Sequence, residues 1–192
     1  MKKYFLLLLL YSTIAPSQNV DIDLLRNINV YRNTKLDNTF KYFSYSITPV
    51  TVAEPVTLFT IWMIKKDSTS KANFLTAGLS IGIAAAVTMG LKYGINRDRP
   101  FVTYPFIQKQ IEAGSPSFPS GHTSAAFSVA TSLSLCFPKW YVIAPSFLWA
   151  AGVGYSRMHL GVHYPSDVLA GAIIGSASVG LGYKIQKRLM KK

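Results

Sequence analysis

Five stretches of this chain, residues 47–64, 72–91, 123–137, 140–155 and 168–183, are apolar and nearly free of charge. Runs of that length do not alternate as half-buried strands do, and they leave too little polar surface for a domain standing in water. They point to lipid as the surrounding solvent, where the backbone must satisfy its own hydrogen bonds as helix. Only 15% of the 192 residues are charged, whereas 49% are hydrophobic. The expected fold class is therefore all-α: an integral membrane helical bundle of about five spans, in one domain. Several of the blocks fall short of the roughly 20 residues a span needs. Flanking residues must complete them, which puts those residues at the membrane ends.

The N-terminus adds two features. Residues 1–19 begin with Lys2 and Lys3, continue as a short apolar run and reach small residues at Ala15 and Ser17. That is the pattern of a signal peptide, with an uncleaved anchor as its rival. Residues 20–43 are polar but place Ile22, Leu25, Ile28, Leu36, Phe40 and Phe43 at helical spacing. They suit one or two amphipathic helices, lying on the membrane surface or packed on the bundle. The main domain is then 20–192, with a core of about 72–185.

Net charge is +12, which in a soluble protein would suggest nucleic acid. Here Lys65, Lys66, Lys71, Lys139, Lys184, Lys187, Arg188, Lys191 and Lys192 flank the apolar blocks, so topology explains much of it and no nucleic-acid partner is expected. If every block spans, all these lysines fall on one side. The positive-inside bias makes that side cytoplasmic. The opposite side, the periplasm or cell exterior, receives 92–100, 119–122 and 156–167 together. Cys136 is the single cysteine, so no internal disulfide forms, and it reads as a small buried hydrophobe.

Those three segments carry the chemistry. Lys92, Arg97 and Arg99, the last locked by Pro100, put cations at a non-cytoplasmic end, against the usual bias. Arginine offers a planar fork to phosphate oxygens and lysine a point charge. Snorkelling to headgroups is the competing reading. In Pro119-Ser120-Gly121-His122, Ser120 suits a helix N-cap. The helix start offers N–H groups to an anion, with Gly121 leaving room for an oxygen. His122 stands at the mouth, placed to protonate a leaving oxygen. A plain cap with a surface histidine is the alternative.

In the third segment Arg157 adds a cation, and His163 precedes Pro165 and Asp167. Pro165 suits the first helical position, so Asp167 falls in the first turn. Asp167 is also the only acid from Ala113 to the C-terminus. Its carboxylate is spaced to orient one nitrogen of His163 and leave the other free to attack phosphorus, through a phosphohistidine. A capping network is the competing reading here. His159 is expected in a supporting or lipid-facing position. A zinc site built on the three histidines is the other chemical reading, with Cys136 too far along its span to help.

In order and spacing the segments resemble the type 2 phosphatidic acid phosphatase superfamily. Its pattern is Lys, six residues, Arg-Pro; then Pro-Ser-Gly-His; then Ser-Arg, five residues, His, three residues, Asp. Here it runs Lys92 to Pro100, Pro119 to His122, and Ser156 to Asp167, without departure. The resemblance implies metal-independent hydrolysis of a phosphomonoester or pyrophosphate, without a cofactor. It implies His163 as nucleophile, Asp167 as its orienting partner and His122 as general acid, with Lys92, Arg99, Ser120, Gly121, His122 and Arg157 binding phosphate. The short, span-rich chain is similar to bacterial inner-membrane enzymes whose active sites face the periplasm. Their substrates include undecaprenyl pyrophosphate, phosphatidylglycerol phosphate, phosphatidate and lipid A. A vanadate-dependent peroxidase and a non-catalytic transporter or binding protein for anionic lipids are the rival functions.

Overall fold

The computed structural model describes residues 17–191; the signal or anchor expected at 1–19 lies, up to residue 16, outside them. The elements are α1 (Ser17–Asn29), a 3-10 turn (Thr34–Leu36), α2 (Asp37–Tyr45), α3 (Ile47–Lys65) and α4 (Ser68–Ile95). They continue with the single-turn α5 (Pro100–Thr103), α6 (Gly121–Cys136), α7 (Trp140–His159) and α8 (Pro165–Leu189). The described residues contain no strand. The fold is the all-helical membrane bundle that the sequence implies.

Local chemistry sets the helix ends. Asp67 caps α4, its carboxylate accepting from the Ser70 backbone N–H at 2.8 Å. Lys66 closes α3 and Asn96 closes α4, both in the left-handed region with φ of 53° and 50°, a conformation asparagine tolerates well. Ser120 caps α6 and Pro165 opens α8. Three stretches are long and apolar enough to cross a membrane by length and composition, Thr34–Lys65, Ser68–Thr103 and Pro165–Leu189. The 16-residue α6 is the shortest of the five long helices. It packs against α3, α4, α7 and α8.

Small residues bring these helices together. A Cβ on Gly171 would sit 2.6 Å from the Ser120 carbonyl oxygen, and one on Gly175 would sit 2.1 Å from that of Ser124. α8 therefore runs alongside α6 in the same direction, backbone to backbone, as small-residue helices do in lipid. α4 runs against both, since Thr88 donates to the Ser124 hydroxyl at 3.1 Å and Gly121 lies beside Thr88 and Lys92. Ile47, Ala126, Ala130, Ala150 and Val153 form the main apolar cluster.

Of the two readings for 20–43, packing on the bundle is the one found. Ile22 and Leu25 join Ile107 and Tyr164 in a second cluster, with Leu25 fully buried. Asn29, also fully buried, acts as a clamp. Its amide donates to the carbonyls of Gln108 at 3.1 Å and His159 at 2.8 Å, and its oxygen accepts from the Gln108 backbone at 2.8 Å. The segment 96–119 is irregular apart from α5, and it is pinned over the ends of α4, α6, α7 and α8.

Candidate active site

The ends of four helices meet under that loop. Lys92 lies in the last turn of α4, Ser120, Gly121 and His122 at the start of α6, Arg157 in the last turn of α7, and Asp167 in the first turn of α8. Arg99 comes from the loop, and His163 from the tight α7–α8 connection. That connection turns at Gly161, whose φ is +74° and whose Cβ position is 2.4 Å from the Gln108 carbonyl oxygen. Only glycine fits there. The Ser120 N–H donates to the Asp167 carbonyl at 3.0 Å, so the N-termini of α6 and α8 are fastened to each other. All eight residues expected at the site are thus brought together at one end of the bundle.

At its centre is the His163–Asp167 pair. Nδ1 of His163 stands 3.3 Å from Oδ2 of Asp167. The same oxygen accepts from the Tyr164 backbone N–H at 3.0 Å and from the Ser117 hydroxyl at 2.5 Å. The other carboxylate oxygen accepts from Arg97 at 2.8 Å. With Nδ1–H held by Asp167, Nε2 carries the lone pair, and it lies 3.4 Å from an Nη of Arg99. Burial pushes the His163 imidazole down to about 3; Asp167 opposes this, while Arg157 and Arg99 reinforce it. The ring is neutral at physiological pH, as a nucleophile must be. The capping reading also holds in part, because Asp167 reaches back to the Tyr164 N–H as in a capping box.

The cations point inward rather than snorkelling. Lys92 is 5% exposed, Arg99 7% and Arg157 3%. Lys92 donates to the carbonyls of Pro116 and, at 3.4 Å, Ser117. Arg99 donates to the carbonyls of Ser115 and Val162, each at 2.7 Å. Arg157 donates to the Ser44 hydroxyl, and its buried Nε–H meets no acceptor. Among the described residues none of the three forms a salt bridge with a carboxylate. His122 is half-buried within the electrostatic reach of Arg157, His163, Arg99 and Lys92. Buried charges normally require partners. These three are held in place by neutral dipoles, and Asp167 is the carboxylate within electrostatic reach of Lys92 and Arg99.

Several contributors carried no sequence signal. Ser117, Ser115 and Ser44 are isolated hydroxyls in unremarkable contexts. Ser117 alone touches Asp167, Lys92 and, through its N–H, the Arg97 carbonyl at 2.8 Å. His159 takes a supporting position. It is 2% exposed, its Nε2 is 2.8 Å from Asp37, and its ring lies against Phe40 with centroids 4.3 Å apart. Its partner is a carboxylate of α2, so the three histidines do not converge as a zinc set would.

The family model of the PAP2 superfamily matches residues 73–191. Undecaprenyl-diphosphatase from Sulfolobus acidocaldarius is 32% identical over 193 residues, covering 92% of this chain and 88% of the relative. Lipid A 4'-phosphatase from Bacteroides thetaiotaomicron is 36% identical over 94 residues, 49% of this chain but only 42% of the relative's length. The crystal structure of Aquifex aeolicus LpxE superimposes with a TM-score of 0.75 at 30% identity, covering 86% of this chain and 95% of that one.

Proposed function

The chain belongs to the PAP2 superfamily, and we propose that it is a membrane-embedded lipid phosphatase, hydrolysing a phosphomonoester or pyrophosphate of a membrane lipid through a phosphohistidine on His163. The observation that carries this reading is the set of three buried cations, Lys92, Arg99 and Arg157, none of them in a salt bridge among the described residues, gathered with His163 and a single carboxylate, Asp167, that is already bonded to Arg97. A phosphate dianion supplies the missing charge, and its developing negative charge in the transition state is what such donors stabilise.

The reaction then runs in two displacements. Nε2 of His163 attacks phosphorus and forms the N–P bond as the bond to the leaving oxygen breaks. His122 gives that oxygen its proton. A water, deprotonated by His122, next attacks the phosphohistidine, breaking N–P and releasing phosphate. Asp167 keeps Nδ1–H donating and stabilises the cationic ring that forms at the intermediate. The α6 N-terminus offers the backbone N–H groups of Gly121 and His122 to the equatorial oxygens, while Ser120 shapes that helix start as its cap. No metal or cofactor has a role in these steps.

The relatives' names support substrates that are lipid-linked: undecaprenyl diphosphate and lipid A, with phosphatidylglycerol phosphate and phosphatidate as further members of the same chemical class. The lysine distribution supports placing the site on the periplasmic or outer face of a bacterial inner membrane. The test is phosphate release by purified protein from a panel of these four lipids, with EDTA present. Release by the wild type, and its loss in a folded His163→Ala variant, is expected. Absence of release from every lipid, or dependence on added metal, refutes the reading. Halide oxidation with bound vanadate would indicate a peroxidase instead.

A further inference from the structure

Arg97 lies among the site's cations in sequence but is held quite differently from them. Lys92, Arg99 and Arg157 meet only neutral groups, carbonyls, hydroxyls and the His163 ring, whereas Arg97 joins two carboxylates. One Nη donates to Oδ1 of Asp167 at 2.8 Å and to the Ser166 hydroxyl at 2.7 Å; the other donates to Oδ2 of Asp21 at 2.9 Å. Its guanidinium also stacks on the Tyr164 ring, 3.8 Å from the centroid. With both forks used, it has little left to offer a phosphate.

Asp21 comes from α1, 146 positions before Asp167 in the chain. It is 6% exposed, and it is bound at the start of α8 rather than to solvent. Its Oδ1 accepts from the Ser166 backbone N–H at 2.8 Å, and its Oδ2 accepts from the Ser166 hydroxyl. Two carboxylates, from opposite ends of the sequence, therefore share the N-terminus of α8 with Arg97 between them. Without the arginine, two like charges would face each other across Ser166 and Asp167 would lose one of its fixed bonds.

We propose that Arg97, anchored by Asp21 of the N-terminal helix, is a positioning residue that fixes the Asp167 carboxylate behind His163, which makes α1 part of the catalytic apparatus. The inference rests on the phosphatase reading. Arg97 acts on the imidazole through Asp167, so it should influence the chemical step and leave phosphate binding to Lys92, Arg99 and Arg157. A substitution there should lower kcat and spare KM, the signature of an interaction that matters in the transition state.

The experiment compares Arg97→Gln, Arg97→Lys and Asp21→Asn with the wild type in detergent. p-Nitrophenyl phosphate reports turnover, and competitive inhibition by inorganic phosphate reports occupancy of the phosphate subsite. Loss of an outer partner of a catalytic group costs about 10- to 100-fold in activity by analogy with histidines at metal sites. Arg97→Gln should lose kcat in that range while KM and the phosphate inhibition constant stay within about threefold. Arg97→Lys should recover part of the loss, because it restores the charge but not the fork. Asp21→Asn, which keeps one acceptor for Ser166, should show the same pattern more mildly. Melting temperature and gel filtration give the folded fraction, so that kcat is expressed per folded molecule. The proposal is overturned if kcat per folded molecule stays within twofold of wild type in all three variants. It is also overturned if KM and the phosphate inhibition constant rise by as much as kcat falls, which would make Arg97 a direct phosphate ligand. If wild-type protein hydrolyses neither this ester nor any lipid, the phosphatase reading fails first and the positioning role falls with it.

Discussion

Replacing Gly175 by alanine adds one methyl group about 12 Å along α8 from Asp167, counted at 1.5 Å per residue, yet it should disable the site. The new Cβ would lie 2.1 Å from the Ser124 carbonyl oxygen, 2.9 Å from the Ser128 nitrogen and 3.0 Å from the Ser124 carbonyl carbon. All three are backbone atoms of α6, so no side-chain rotation relieves the contact. Carbon contacts are comfortable at about 3.5 Å, so the two helices must part by roughly 1 Å. Overpacking of this kind costs about 1–3 kcal/mol, sometimes more. The helix starts are tied together through the 3.0 Å bond from Ser120 N–H to the Asp167 carbonyl. Parting the helices moves His122 and the α6 N–H groups away from His163, and a misplacement of about 1 Å costs about 100-fold in rate. Gly180 is the internal control, because a Cβ there meets nothing within 4 Å. Alanine at 180 should raise stability slightly through helix propensity, by up to about 1 kcal/mol. The assay is kcat on a soluble aryl phosphate together with the detergent melting temperature for both variants. If Gly175→Ala keeps wild-type turnover and melts with Gly180→Ala, the backbone-to-backbone packing of α6 on α8 is not as described and the reasoning fails.

Other consequences follow from single contacts. Ser117→Ala removes the hydroxyl that donates to Asp167 at 2.5 Å; kcat should drop about tenfold, as for a lost bond to a charged group worth roughly 1.5 kcal/mol, with the melting temperature little changed, and unaltered kinetics would remove Ser117 from the site. Glu54 is buried in α3 with neither carboxylate oxygen in a hydrogen bond of good geometry; Glu54→Leu should raise the melting temperature by the equivalent of about 1–3 kcal/mol at unchanged kcat, and a loss of activity would show that Glu54 has a task of its own. For topology, a single cysteine introduced within 103–114 in a Cys136→Ser background should react with an impermeant thiol reagent in intact spheroplasts, and one after Lys187 should not. The reverse labelling would move the site to the cytoplasmic leaflet.

The residues that the sequence made legible share one property: their meaning is local. His163 and Asp167 are four apart across a proline-opened helix start, and that spacing alone brings Nδ1 to 3.3 Å from the carboxylate. Ser120 caps the helix that begins at Gly121 because residue type and position agree. Helix ends could be placed where lysines flank the apolar blocks, at Lys65 and Lys66 between α3 and α4 and at Lys139 before α7. The residues that stayed hidden act across distance. Ser44 reaches Arg157 over 113 positions, Ser117 reaches Asp167 over 50, and Ser166 reaches Asp21 over 145. One serine among many has no period and no spacing to betray it. Arg97 was visible as a cation, but the sequence could not separate a residue that binds an anion from one that holds a carboxylate. Likewise, the Gly, Ala and Ser content of 168–183 announced close packing without saying which glycine touches which carbonyl.

That division has a physical origin, and it bears on why the site stays assembled when empty of substrate. Three buried cations repel one another, and the one carboxylate within reach of Lys92 and Arg99 is Asp167, already bonded to Arg97. They are held instead by carbonyls of 115, 116, 117 and 162 and by the hydroxyl of Ser44. Each is a dipole placed by the loop 96–119, by the α7–α8 turn or by α2. The loop is in turn fastened by Asn29 and by Arg32, which donates to Gln108 at 2.8 Å. The N-terminal helices, the loop and the turn thus restrain charges that the bundle alone would expel. Dipoles that fix a cation without cancelling it leave its field available for the phosphate, which is the preorganisation that lowers the barrier most in such sites. A carboxylate in any one of those places would stabilise the empty protein and compete with the substrate.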